Sequence, residues 1–119
     1  MFDQRPFNRT DRVSDKVRLA VSEVLLKDVS IVNAGLITIT RVTMSKDLRY
    51  AKVFFSHIDT ALSDLELEKK LNQNKSTIRY HIGTKLEAQY VPQIRFEFDK
   101  RYAKSARIED LLNKVKRNK

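Results

Sequence analysis

The chain has 119 residues, enough for one domain around one hydrophobic core. Hydrophobic residues make up 41%, but no apolar run exceeds the three residues of Val24-Leu25-Leu26, whereas a membrane-spanning helix needs about 20. The absence of cysteine excludes disulfides, thiolate metal sites and cysteine nucleophiles, and agrees with a reducing cytoplasm.

The formal charge is +9, from 24 Lys and Arg against 15 Asp and Glu. A surplus of this size attracts polyanions, and nucleic acid is the commonest of them. The plainer alternative is a charge that only keeps the domain soluble. The windows Lys69 to Lys85, Lys100 to Arg107 and Asn113 to Lys119 contain no acidic residue. Charge spread only for solubility would be more mixed.

In chain order, residues 1–8 read as a flexible terminus without the apolar block of a secretory signal. Residues 9–119 read as one domain. A helix is expected from about Thr10 to Lys27. Val13, Val17, Ala20, Val21 and Val24 recur at helical spacing and form one apolar stripe, with Arg9, Arg12 and Lys16 on a ridge beside it. Gly35 then interrupts the chain. Leu36–Met44, rich in Ile, Thr and Val, reads as a strand. Its apolar positions change phase between Ile39 and Val42, which predicts a bulge near Thr40–Arg41. Tyr50–His57 alternates as a second strand, with Ala51, Val53 and Phe55 facing the core. The short polar link Ser45-Lys46-Asp47-Leu48 makes the pair a hairpin.

Ser63-Asp64-Leu65-Glu66 has the form of a capping box, and a helical pattern follows to about Gln89. Tyr90-Val91-Pro92 ends it. Ile94, Phe96 and Phe98 alternate as a third strand, parallel to the second because a helical crossover joins them. Ile108, Leu111, Leu112 and Val115 mark a final helix over about 105–116. The class is α+β: helices on one face of a three-stranded mixed sheet.

The long helix has an internal conflict. Leu67, Leu71, Ile78, Ile82 and Leu86 share one arc, yet Asn74 and Lys75 project into it. An amide left unsatisfied there costs about 1–3 kcal/mol. Two arrangements answer this. The helix kinks at Asn74-Lys75-Ser76, with Ser76 capping a second half whose amino terminus suits phosphate. Alternatively it runs straight, with Asn74 bonded to a neighbour and Lys75 snorkelling outward.

Catalytic and metal-binding patterns are missing from the sequence. His57 and His81 are far apart, His57 reading as an ordinary strand-end residue and His81 as a solvated residue of a basic helix. No glycine-rich phosphate loop exists, since Gly35 and Gly83 are the only glycines. The pairs Glu66/Glu68 and Glu109/Asp110 fit helix amino termini better than acid–base catalysis. Tyr50, Lys52 and Phe54 share the sheet face away from the core. They either stack single-stranded bases or lie under another segment of the chain.

The stretch Val42–Phe54, VTMSKDLRYAKVF, resembles the hairpin of the bacterial ribosome-binding factor A family, whose pattern there is V-x-x-S-x-D-L-x-x-A-x-V-aromatic. Arg9-Thr10-Asp11-Arg12-Val13, Ile78-Arg79 with Ile82-Gly83, Val91-Pro92, and Arg107-Ile108 with Leu111-Leu112 are similar to further family segments in the same order. The resemblance implies a type II KH-like fold, helix–strand–strand–helix–kink–helix–strand, to which the final helix is added. It implies a non-catalytic factor that binds the small (30S) ribosomal subunit and its 16S rRNA. Such factors support late maturation, 5′-end processing and growth in the cold. The family's Ala-x-Gly kink aligns with Asn74-Lys75-Ser76, where neither the Ala nor the Gly is present.

The candidate RNA-contacting residues are therefore Arg9, Arg12 and Lys16 on the first helix, Lys69 and Lys70 before the kink, Asn74, Lys75 and Ser76 at it, and Arg79 and Lys85 beyond it. No cofactor, metal, membrane or small-molecule substrate is expected, and the chain is expected to be cytoplasmic and monomeric. Competing readings are a general single-strand RNA binder using Tyr50 and Phe54, and a protein-interaction module with incidental charge.

Overall fold

The computed structural model describes residues 9–58, 60–86 and 91–101. The expected flexible terminus and the final helix at 105–116 lie outside the described residues. The first helix, α1 (Arg9–Lys27), buries Val17, Ala20, Val21 and Val24 and packs Val13 and Leu25 beside them. The chain turns back after it through Asn33 and Gly35, both at positive φ, 64° and 68°. Gly35 tolerates that conformation without the steric cost a Cβ brings.

Three strands follow the predicted pattern: β1 (Leu36–Met44), β2 (Tyr50–Ile58) and β3 (Gln93–Phe98), in the spatial order β1-β2-β3. β1 and β2 pair antiparallel, and β2 and β3 pair parallel. The register slips between Ile39 and Arg41, leaving Thr40 as the bulged residue. The extra residue restores the phase. Ile37 and Ile39 before it, and Val42 and Met44 after it, all pack toward the same core. That core lies on one sheet face, where Ala51, Val53 and Phe55 of β2 and Ile94 and Phe96 of β3 meet the helices.

The crossover from β2 to β3 is broken. α2 (Asp64–Gln73) starts at Ser63, whose hydroxyl oxygen accepts the Glu66 N–H at 3.1 Å. α3 (Lys75–Leu86) follows after the single residue Asn74. The kink is therefore present, but Ser76 is not its cap. The Asn74 side chain donates to the Lys70 carbonyl at 2.8 Å, which closes α2, and its own carbonyl accepts the Ile78 N–H at 3.0 Å. The first bond suits Asn because its short amide reaches a local backbone group, and the second is made by the Asn74 backbone carbonyl. Leu67 and Leu71 before the break, and Ile78 and Ile82 after it, are fully buried in one core, while Lys75 is exposed. α3 is described as far as Leu86, and the expected continuation to Gln89 lies outside the described residues. Gly83 allows a close approach, since a Cβ there would meet Val91 Cγ2 at 3.1 Å.

β3 is an edge strand, and α2 covers its outer edge with side chains. Asn72 Oδ1 accepts the Phe96 N–H at 2.9 Å and its Nδ2 donates to the Phe96 carbonyl at 3.0 Å. Glu68 Oε2 accepts the Phe98 N–H at 3.0 Å. Asn72 thus imitates one residue of a neighbouring strand and removes a site for unwanted pairing. Replacing Asn72 with Ala strands both backbone groups of Phe96. The expected loss is about 1–3 kcal/mol of stability, read as a lower urea midpoint at unchanged slope.

Candidate nucleic-acid interface

Two grooves adjoin at the hairpin end of the sheet. The first runs between α1 and β1 and is lined by Arg12, Lys16, Arg18 and Arg41, with Asp11 and Asp15 on the same helix. The second is lined by Tyr50, Lys52, Lys75, Gln93 and Arg95. Thr43 and Met44 form a shared wall. The fold thus gives the groove that holds Lys75, from the helix break, a wall in common with the groove lined by the α1 cations, although more than fifty residues separate them in sequence.

The hairpin turn that supports this end is built from the motif that carries the family resemblance. The Ser45 hydroxyl donates to Asp47 Oδ1 at 2.6 Å, and the Arg49 N–H donates to the same oxygen at 3.2 Å. Ser45 Oγ accepts the Tyr50 N–H at 3.0 Å, and the Ser45 N–H returns to the Tyr50 carbonyl at 2.9 Å. Leu48 takes a φ of 62° within this frame. The spacing S-x-D-L therefore has a physical reason: hydroxyl and carboxylate close the turn that a left-handed leucine would otherwise resist.

The structure divides the predicted cations into two groups. Arg12, Lys16, Lys69, Lys70 and Lys75 are exposed. Lys69 and Lys70 stand on the last turns of α2 and line neither groove. The side chain of Arg9 lies outside the described residues. Ser76 is exposed in the first turn of α3, and Asn74 is occupied by the bond to Lys70. Arg79 is turned inward, its guanidinium donating to the carbonyls of Val91 at 2.6 Å and Pro92 at 2.9 Å. It anchors the segment leading into β3, where a proline cannot contribute an N–H of its own. Lys85 is only 25% exposed and bridges Glu23 at 3.4 Å and Asp28 at 3.2 Å. The Asp28 carboxylate, with a smaller effect from Glu23, raises the Lys85 ammonium above its usual pKa. Arg79 and Lys85, both expected at the RNA interface, therefore have partners within the chain instead.

His57 also departs from expectation. Its side chain is 11% exposed, and its Nε2 lies 2.6 Å from Asp64 Oδ1. Its ring packs beside Phe55 and Phe98. His81 packs edge-on against Tyr80. Among the described residues, no group of three metal-ligating side chains converges, and no helix is long and apolar enough to cross a membrane.

Comparison with known proteins decides the family. The description ribosome-binding factor A matches residues 9–112. The chain belongs to the ribosome-binding factor A family. A ribosome-binding factor A from Protochlamydia amoebophila is 38% identical over 108 residues, covering 90% of this chain and 82% of the relative. One from Caldicellulosiruptor bescii is 38% identical over 113 residues, covering 92% and 85%. A Thermotoga maritima protein solved by solution NMR superposes with a TM-score of 0.66 at 31% identity, covering 82% of this chain and 93% of that one. The crystal structure of ribosome-binding factor A from Thermus thermophilus gives the same TM-score at 13% identity, covering 75% and 93%, and so supports the fold alone.

Two expectations follow. Arg79→Ala leaves two carbonyls without their charged donor and lowers stability by about 1.5–3 kcal/mol, whereas Lys75→Ala stays within about 0.5 kcal/mol by the same denaturation measurement. The Asp47 carboxyl is held below its ordinary value of 3.8, first by the Ser45 hydroxyl and then by the Arg49 N–H. A depressed folded value means the turn is supported above the unfolded pKa and loosens as pH falls through the folded one. The Ser45 and Arg49 amide resonances should therefore be flat from about pH 5 to 8 and shift below about 4, and Asp47→Asn should abolish that acid response.

Proposed function

We propose that the chain is a non-catalytic assembly factor that binds the small (30S) ribosomal subunit through its 16S rRNA and supports late maturation of the particle, including processing of the 5′ end. It acts in the cytoplasm as a monomer, without cofactor or small-molecule substrate. The observation that carries the reading is the adjoining pair of cationic grooves, one lined by Arg12 and Lys16 and the other by Lys75, with Thr43 and Met44 common to both. Each phosphate neutralised there releases condensed counterions, which is the main source of affinity for RNA. A homology model of Thermus thermophilus ribosome-binding factor A, fitted into the cryo-EM map of a 30S complex, has the same fold, with a TM-score of 0.58 at 15% identity, covering 69% of this chain and 86% of that one.

The phosphate-contacting set is Arg12, Lys16 and Lys75, with Lys69 and Lys70 as outer contacts. Arg79 and Lys85 are left out of it because their partners lie within the chain.

Cosedimentation with purified small subunits, whole ribosomes and naked 16S rRNA across a salt series tests this reading. Binding to small subunits should fall linearly in log–log form, and each of Arg12→Glu, Lys16→Glu and Lys75→Glu should reduce the slope by about one. In cells carrying only the triple variant, 16S rRNA with an unprocessed 5′ end should accumulate. Salt-insensitive binding, or a folded triple variant that binds as the wild type does, would overturn the assignment.

A further inference from the structure

The sequence leaves two aromatic rings, Tyr50 and Phe54, on the sheet face away from the core. The structure separates them. The bulge at Thr40 sets Arg41 opposite Phe54, and the Arg41 guanidinium carbon lies 3.7 Å from the centroid of the Phe54 ring. One face of that ring is therefore taken, and the residue is half-buried. Tyr50 is 61% exposed and lines the groove that holds Lys75 and Arg95.

An exposed tyrosine alone is ordinary. Its mounting and its neighbours distinguish this one. Both backbone polar groups of Tyr50 are tied to Ser45, at 3.0 and 2.9 Å, and the adjoining Gln93 N–H is tied to the Arg49 carbonyl at 2.8 Å. The ring thus stands on a backbone already fixed at the end of the sheet, so ordering it on binding costs little conformational entropy. Among the described residues Lys75 has no ion-pair partner, whereas Lys52 and Arg95 both face Glu97, at 3.7 and 3.9 Å. Lys75 is the cation of this groove free to take a phosphate.

We propose that Tyr50 is a stacking platform for one unpaired RNA base, with Lys75 on a neighbouring phosphate. The ligand class is a single-stranded ribonucleotide segment rather than a duplex, because a base within a paired helix cannot present its face to a ring at a groove mouth. The site is tolerant of sequence, since every base has a π-face. This inference rests on the RNA-binding reading above.

The test measures binding of full-length wild type, Tyr50→Ala, Tyr50→Leu and Tyr50→Phe to purified small subunits over a salt series. Circular dichroism melting confirms that each variant is folded. Tyr50→Ala and Tyr50→Leu should each bind about tenfold more weakly, with the wild-type salt slope, because stacking is uncharged. Tyr50→Phe should bind within about twofold of wild type, because stacking needs no hydroxyl. In a parallel titration with a short oligoadenylate, the Tyr50 ring protons should move upfield. Wild-type affinity in Tyr50→Ala, with the salt slope intact, would overturn the platform and leave the RNA reading standing. A Tyr50→Phe variant as weak as Tyr50→Ala would also overturn it, since a hydroxyl contact would then explain the loss. Salt-insensitive binding of the wild type would instead remove the RNA reading itself.

Discussion

The structure depends on how one crossover covers one sheet face. Parallel neighbours such as β2 and β3 need a connection that leaves the sheet, returns over it and re-enters beside the starting strand. Here the connection must also bury apolar side chains along its length, because α1 packs over β1 and leaves β3 to α2 and α3. A straight helix with this sequence would carry Asn74 and Lys75 into its own apolar arc. The break at Asn74 resolves the conflict: α2 turns Leu67 and Leu71 into the core, α3 turns in Ile78 and Ile82, and Lys75 is released to solvent. One packing problem thereby places an exposed cation at the end of the sheet where the hairpin turns.

Much of this was legible because it is periodic. The valine stripe of α1, the alternation of β2, the Ser63 cap and the phase change in β1 are local signals, and each corresponds to an observed feature. The break itself was legible as a conflict within a periodic pattern. Its chemistry was not, because periodicity says where a helix is uncomfortable and not which polar atom relieves it. Asn74, not Ser76, supplies the cap, since its amide reaches back to Lys70 while its carbonyl starts α3.

The site was less legible, for a reason that applies to any basic domain. Counting cations does not reveal which of them are already paired. Arg79 serves carbonyls twelve and thirteen residues away, and Lys85 serves Glu23 and Asp28 across the α1–α3 contact. Such partnerships follow from tertiary packing, so no window of sequence contains both halves. The fate of Phe54 was closer to reach. A bulge at Thr40 shifts the register so that Arg41 falls opposite Phe54, and a guanidinium opposite a ring is a pair worth anticipating.

On the proposed reading, the cationic grooves and the hairpin turn divide the labour of recognition between them. In the proposed mode, phosphate contacts from Arg12, Lys16 and Lys75 would pull any polyanion toward this end of the sheet but would carry no information about its form. Discrimination needs a group that senses whether bases are free, and a ring held at a set height is one such group. The Ser45–Asp47 turn supplies the height by fixing the backbone of Tyr50 before any ligand arrives. On this reading Ser45 and Asp47 act through that geometry rather than by touching RNA. Their part is the geometry they impose on the aromatic side chain beside them, and on the proposed reading that geometry would convert a general attraction for RNA into a preference for unpaired segments.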